Sequence, residues 1–161
     1  MTSTNRSRLL LLCAALCFLA VGIALISQHV FDFAPCAWCT FQRLIYLVVG
    51  VVCLIAATGP AMLGRITAGL AALVSIGGIL AAWYQHSVAA EMVSCDRTFA
   101  DQFMVKSGLD GAFPSIFGIF ATCMDAKVNV LGVEYAIWSL MLFVVLTVLT
   151  GYAALKAART S

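Results

Sequence analysis

Four long apolar runs dominate the chain: Leu9 to Ile26, Leu44 to Ala57, Ile66 to Tyr84 and Tyr135 to Leu155, none with a charged residue. About 20 helical residues cross the roughly 30 Å of hydrocarbon in a bilayer. The first, third and fourth runs meet that length directly. The second does so only if its helix starts near Pro35 or Cys36, which puts Arg43 inside the span. Backbone groups in lipid must be satisfied within their own segment, so the runs are helices. No alternating pattern points to a barrel. The pattern therefore predicts an all-α membrane protein, a four-transmembrane-helix bundle forming a single integral membrane domain over 1–161. Its spans lie at about 9–26, 36–57, 66–84 and 135–155, with loops at about 27–35 and 85–134. A secretory signal is the alternative for the first run, because Arg6 and Arg8 precede it. Its apolar core exceeds the usual stretch of about 7 to 15 residues, and no small-residue cleavage site closely follows.

Composition agrees: 63% of residues are hydrophobic and 10% charged, against about a quarter charged in soluble domains. The placement of charge adds an orientation. The N-terminal tail carries Arg6 and Arg8, the 58–65 connection carries Arg65, and the C-terminal tail carries Lys156 and Arg159. None of these segments holds an acid. Asp32, Glu91, Asp96, Asp101, Asp110, Asp125 and Glu134 all lie in the other two loops. Lysine and arginine excess marks the cytoplasmic side, so both termini are expected inside and the long loop between helices 3 and 4 outside. The basic residues are scattered singly at membrane faces, which excludes a nucleic-acid patch. Gly77 and Gly78 lie mid-span, where small residues let helices approach closely.

The predicted topology sorts the seven cysteines. Cys13, Cys17 and Cys53 fall inside apolar spans and read as small hydrophobes. Cys36, Cys39, Cys95 and Cys123 fall on the outer side, where disulfides persist if the compartment is a bacterial periplasm. Four cysteines allow three pairings, and spacing does not choose among them. The plain alternative is a pair of structural disulfides, but "FAPCAWCTFQR" (Phe33–Arg43) argues for redox exchange. A disulfide across CxxC closes a tiny loop and stabilises little. Pro35 sets the pair at a helix N-terminus, which favours thiolate, the nucleophile of disulfide exchange. Arg43 lies four residues after Cys39, on the same face and about 6 Å deeper. Snorkelling to the interface is its bland reading. Beside CxxC, a fixed cation also suits a thiolate and a reduced, anionic acceptor dissolved in the bilayer. Covalent haem is disfavoured, because Thr40 stands where CxxCH needs histidine. Zinc is disfavoured, because Cys95 and Cys123 form no second CxxC.

In the long loop, "RTFADQFMVKS" spaces Phe99 and Phe103 as on a short amphipathic helix lying on the membrane surface. "FPSIFGIF", Phe113 to Phe120, is too short to span. It either dips into the interface, serves a partner, or packs on the bundle. Trp83, Tyr84 and Trp138 read as belt residues at the water boundary.

The combination resembles the disulfide bond formation protein B (DsbB) family over nearly the whole chain. The shared features are four spans, P-C-x-x-C-x-x-x-R opening the second, "YQH" closing the third, a separated cysteine pair in the long outer loop, and "LGVEYAIW" entering the fourth span. The resemblance implies a quinone-dependent oxidoreductase of the bacterial inner membrane. Such an enzyme reoxidises a periplasmic DsbA-like thioredoxin-fold dithiol oxidase and passes the electrons to a membrane quinone, ubiquinone or menaquinone. It further implies that Cys36 and Cys39 reduce the quinone, with Cys39 as the contacting thiolate and Arg43 beside it. Cys95 would form the mixed disulfide with the partner, and Cys123 would pass electrons to Cys36. His86 matches a histidine lining the quinone site. Gln42 stands where some relatives have an acid.

Two rival functions remain. A vitamin K epoxide reductase-like disulfide generator has similar chemistry, but its quinone-side CxxC comes late in the chain. A non-catalytic membrane scaffold stapled by disulfides predicts tolerance of Arg43→Ala. A transporter is disfavoured, because beyond Arg43 the spans carry no charge.

Overall fold

The computed structural model describes residues 3–89 and 98–158. Among them, four helices are long and apolar enough to cross a membrane, over Asn5–Val30, Ala37–Thr58, Ala61–Ser87 and Tyr135–Leu155. They belong to α1 (Ser3–Val30), α2 (Ala37–Thr58), α3 (Ala61–Ser87) and α7 (Tyr135–Ala158). Helix α1 packs on α2, α2 on α3 and α3 on α7, while the α1–α7 seam is the loosest. The result is the four-helix bundle that the apolar runs predict.

Local chemistry sets the helix ends. Cys36 is the extended N-cap residue of α2, and Pro35 before it suits the entry to a helix. Helix α2 stops at Gly59–Pro60, where Pro60 is extended and caps α3. At this end Arg6 Nη1 donates to Ala61 O (3.1 Å) and Ser7 Oγ donates to Ala57 O (2.9 Å), tying the start of α1 to the α2–α3 turn.

Small residues decide how closely the helices pack. A Cβ on Gly78 would collide with the ring of Phe143 on α7. Phe143 is fully buried, and its ring stacks on Tyr46 with centroids 4.1 Å apart. Gly77, by contrast, faces open space. Cys13, Cys17 and Cys53 are fully buried, as small apolar residues in a core should be.

The opposite end of the bundle carries short elements: α4 (Phe99–Lys106), α5 (Leu109–Ala112), α6 (Pro114–Phe117) and the hairpin β1 (Asn129–Val130) with β2 (Val133–Glu134). The expected amphipathic helix is α4. Its cap, Thr98, accepts from the Asp101 amide. Ala100 and Met104 are buried, while Phe99 and Phe103 set their rings against Phe41 of α2. The "FPSIFGIF" segment packs on the bundle through α6, with Phe117 buried. In the hairpin, Leu131 (φ 55°) and Gly132 (φ 81°) make a two-residue turn of the primed kind. Trp138 Nε1 donates to Val130 O (3.1 Å), which fixes the hairpin to the start of α7.

Candidate active site

The first turn of α2 holds both cysteines of the CxxC on one side of the helix. Their Sγ atoms are 3.1 Å apart, at hydrogen-bond distance, and both are free thiols. They differ in surroundings. Cys36 is fully buried, whereas Cys39 is partly exposed and lines a cavity of about 590 Å³.

The cavity lies at the loose seam, with walls from α1 (Ile23, Ala24), α2 (Cys39, Arg43) and α7 (Tyr135, Leu142). Its lining is mostly apolar, and it runs along the bundle toward residues that face outward, among them Leu19 and Met141. Arg43 sits one turn below Cys39 and is 5% exposed. Its Nη1 donates to Gln28 Oε1 (2.6 Å) and to Ile116 O (2.8 Å), and its Nη2 donates to Ala24 O (3.3 Å). One guanidinium thus joins α1, α2 and α6. All three acceptors are neutral, and no carboxylate pairs with Arg43 among the described residues. A buried cation without a counter-ion is costly. The arrangement suits an anion arriving beside it, at Cys39 or in the cavity.

A line of neutral polar side chains backs the thiols. Tyr46 Oη lies 2.9 Å from Ser139 Oγ, which donates to Gln42 Oε1 (2.6 Å). Gln42 Nε2 donates to Gln85 Oε1 (2.5 Å). Gln85 Nε2 donates to Cys39 Sγ (3.2 Å) and reaches Cys36 Sγ at 3.8 Å. The sequence alone gives no part to Gln28, Tyr46 or Ser139, and marks Gln85 only as a member of the YQH motif. The available signal was that each is a polar group set in or beside an apolar run.

The long loop folds back onto the CxxC. The Pro35 carbonyl accepts from the amides of Phe120 (3.0 Å) and Ala121 (3.3 Å). Cys123, two residues on, is engaged in a disulfide and is almost fully buried. Two residues reach at most about 7 Å, so Cys123 is held close to the start of α2. Cys95 lies outside the described residues. His86 is not among the residues lining the cavity. Its Nδ1 meets Glu134 Oε2 at 2.8 Å, joining the end of α3 to β2.

Comparison with known proteins gives a consistent result. The family Disulfide bond formation protein DsbB matches residues 6–153. Disulfide bond formation protein B of Ralstonia nicotianae is 31% identical over 156 residues, covering 96% of this chain and 98% of that protein. Disulfide bond formation protein B 1 of Pseudomonas entomophila is 34% identical over 151 residues, covering 90% and 88%. The Herminiimonas arsenicoxydans protein of the same name is 28% identical over 154 residues, covering 94% and 98%. With four membrane-length helices and a dithiol at the mouth of an apolar cavity, the chain belongs to the DsbB family of membrane disulfide bond formation proteins.

Proposed function

We propose that this protein is a thiol:quinone oxidoreductase of the bacterial inner membrane that reoxidises a periplasmic DsbA-like dithiol. The observation that carries the reading is the cavity with Cys39 and Arg43 on one wall. It is apolar, seated at the loosest helix seam, and bordered by a buried cation that lacks a carboxylate partner among the described residues. These features fit a quinone: an apolar ring and tail, with oxygens that become electron-rich on reduction. A bound quinone would supply an acceptor for two electrons and two protons. Arg43 and Cys39 would hold its head. His86 acts at one remove, holding through Glu134 the hairpin whose Val130 and Leu131 complete the cavity wall.

The chain's own sulfurs do the exchange. A thiolate of the reduced partner attacks Cys95 and releases Cys123. The second partner thiol resolves that mixed disulfide, and the partner leaves oxidised. Cys123 attacks Cys36 of an oxidised Cys36–Cys39 pair and displaces Cys39 as thiolate. Cys95 then closes on Cys123 and frees Cys36. Two electrons now stand on Cys36 and Cys39 at the cavity. The Pro35 contacts to residues 120 and 121 keep Cys123 within a short excursion of Cys36.

The test is reduction of a soluble quinone analogue by the purified protein, supplied with a reduced thioredoxin-fold dithiol. Wild type should turn over and Cys39→Ser should not. Arg43→Ala should raise the quinone KM roughly tenfold or more, the scale of a lost charged hydrogen bond. Absence of turnover with any dithiol, or an unchanged KM in Arg43→Ala, would count against the assignment.

A further inference from the structure

From Ser139 to Cys39 the hydrogen bonds beside the CxxC run in one direction. Tyr46 O–H points toward Ser139, Ser139 O–H donates to the Gln42 carbonyl, Gln42 N–H to the Gln85 carbonyl, and Gln85 N–H to Cys39 Sγ. The links come from three helices, α2, α3 and α7, and they close at 2.5–3.2 Å. Gln42 and Gln85 are 5% and 7% exposed and, like Cys39, lie on the wall of the cavity.

Direction matters because a thiol can donate to a carbonyl, whereas a thiolate only accepts. Turning the Gln85 amide over would place its carbonyl against Cys39. It would also set two N–H groups facing each other unless Gln42 turned as well. In the observed arrangement Ser139 donates to the Gln42 carbonyl and Gln85 presents an N–H to the sulfur.

We propose that Gln85 is a positioning residue for the thiolate of Cys39, its amide held in place by Gln42 and, through Gln42, by Ser139. This rests on the reading of Cys39 as the sulfur facing the electron acceptor. Arg43 supplies the long-range charge, and Gln85 supplies the directed hydrogen bond. Aligned donors also polarise one another, so each link strengthens the last. The group is uncharged throughout and adds no second buried charge to the span beside Arg43.

The experiment is alkylation of the reduced protein by iodoacetamide across a range of pH, following the Cys39 peptide by mass spectrometry. Gln85→Met keeps the length of the side chain and removes the donor. At neutral pH it should slow Cys39 alkylation about tenfold, and its rate should converge on that of wild type at high pH, where ionisation no longer limits. Ser139→Ala, a small change at the far end of the line, should act in the same direction by roughly twofold to threefold. Equal rates at all pH values would overturn the proposal. So would a ratio that stays fixed as pH rises, since that signature belongs to altered access. If Gln85→Met does not fold, Ser139→Ala decides by the same criterion. Quinone is absent from the assay, so a failure here is distinct from a failure of wild type to reduce quinone.

Discussion

Arg43 shows how much one side chain can organise in an apolar setting. Its planar fork reaches oxygens on α1 and α6 at once, a geometry that lysine cannot reproduce. Arg43→Lys should therefore keep the local charge but release α6, seen as faster amide hydrogen exchange around 113–117. Unchanged exchange there would mean that α6 is held by packing alone. Position and type made Arg43 legible in the sequence, because a charge inside a span and one turn from CxxC stands out. Gln42, Gln85 and Ser139 were not legible in the same way. They are neutral, they lie as far as 97 positions apart, and only packing brings them into one line. His86 was conspicuous as a lone ionisable group at a span end, but its partner is Glu134 on the hairpin, which no local pattern announces.

The identity of the four long helices followed from apolar runs because lipid leaves the backbone few alternatives, but their ends did not: α1 (Ser3–Val30) and α3 (Ala61–Ser87) extend past the expected 9–26 and 66–84, because helical hydrogen bonding continues into polar flanks. The contacts between helices did not follow, because small residues occur in every span and only some lie at crossings. Gly77 and Gly78 are adjacent and chemically identical, yet only Gly78 faces Phe143. Gly78→Val should destabilise the bundle by about 1–3 kcal/mol through overpacking. Gly77→Ala should stay within about 0.5 kcal/mol of wild type. Thermal unfolding in detergent separates the two, and equal effects would show that the Gly78–Phe143 contact does not set the α3–α7 distance. The return of the loop onto Pro35 was equally hidden, since it uses backbone amides of residues 120 and 121 and leaves no mark in residue type.

For the whole molecule, the scatter of arginine and lysine predicts that both termini face the cytoplasm. A C-terminal fusion should then be active as a cytoplasmic reporter and inactive as a periplasmic phosphatase, whereas phosphatase activity would invert the arrangement. On that proposed orientation the CxxC would face the side where a reduced dithiol partner arrives, and Cys39 lines the apolar cavity through which electrons would leave. The proposed reaction is a vectorial transfer from a water-borne dithiol to a membrane acceptor. A direct check is a single-turnover experiment in which oxidised, quinone-loaded protein in lipid is mixed with less than one equivalent of reduced thioredoxin-fold dithiol, and quinol and oxidised partner are counted together. One quinol should form for each partner disulfide, with Cys36→Ser and Cys39→Ser abolishing quinol formation. Partner oxidation without quinol, or quinol that persists in either variant, would contradict the account.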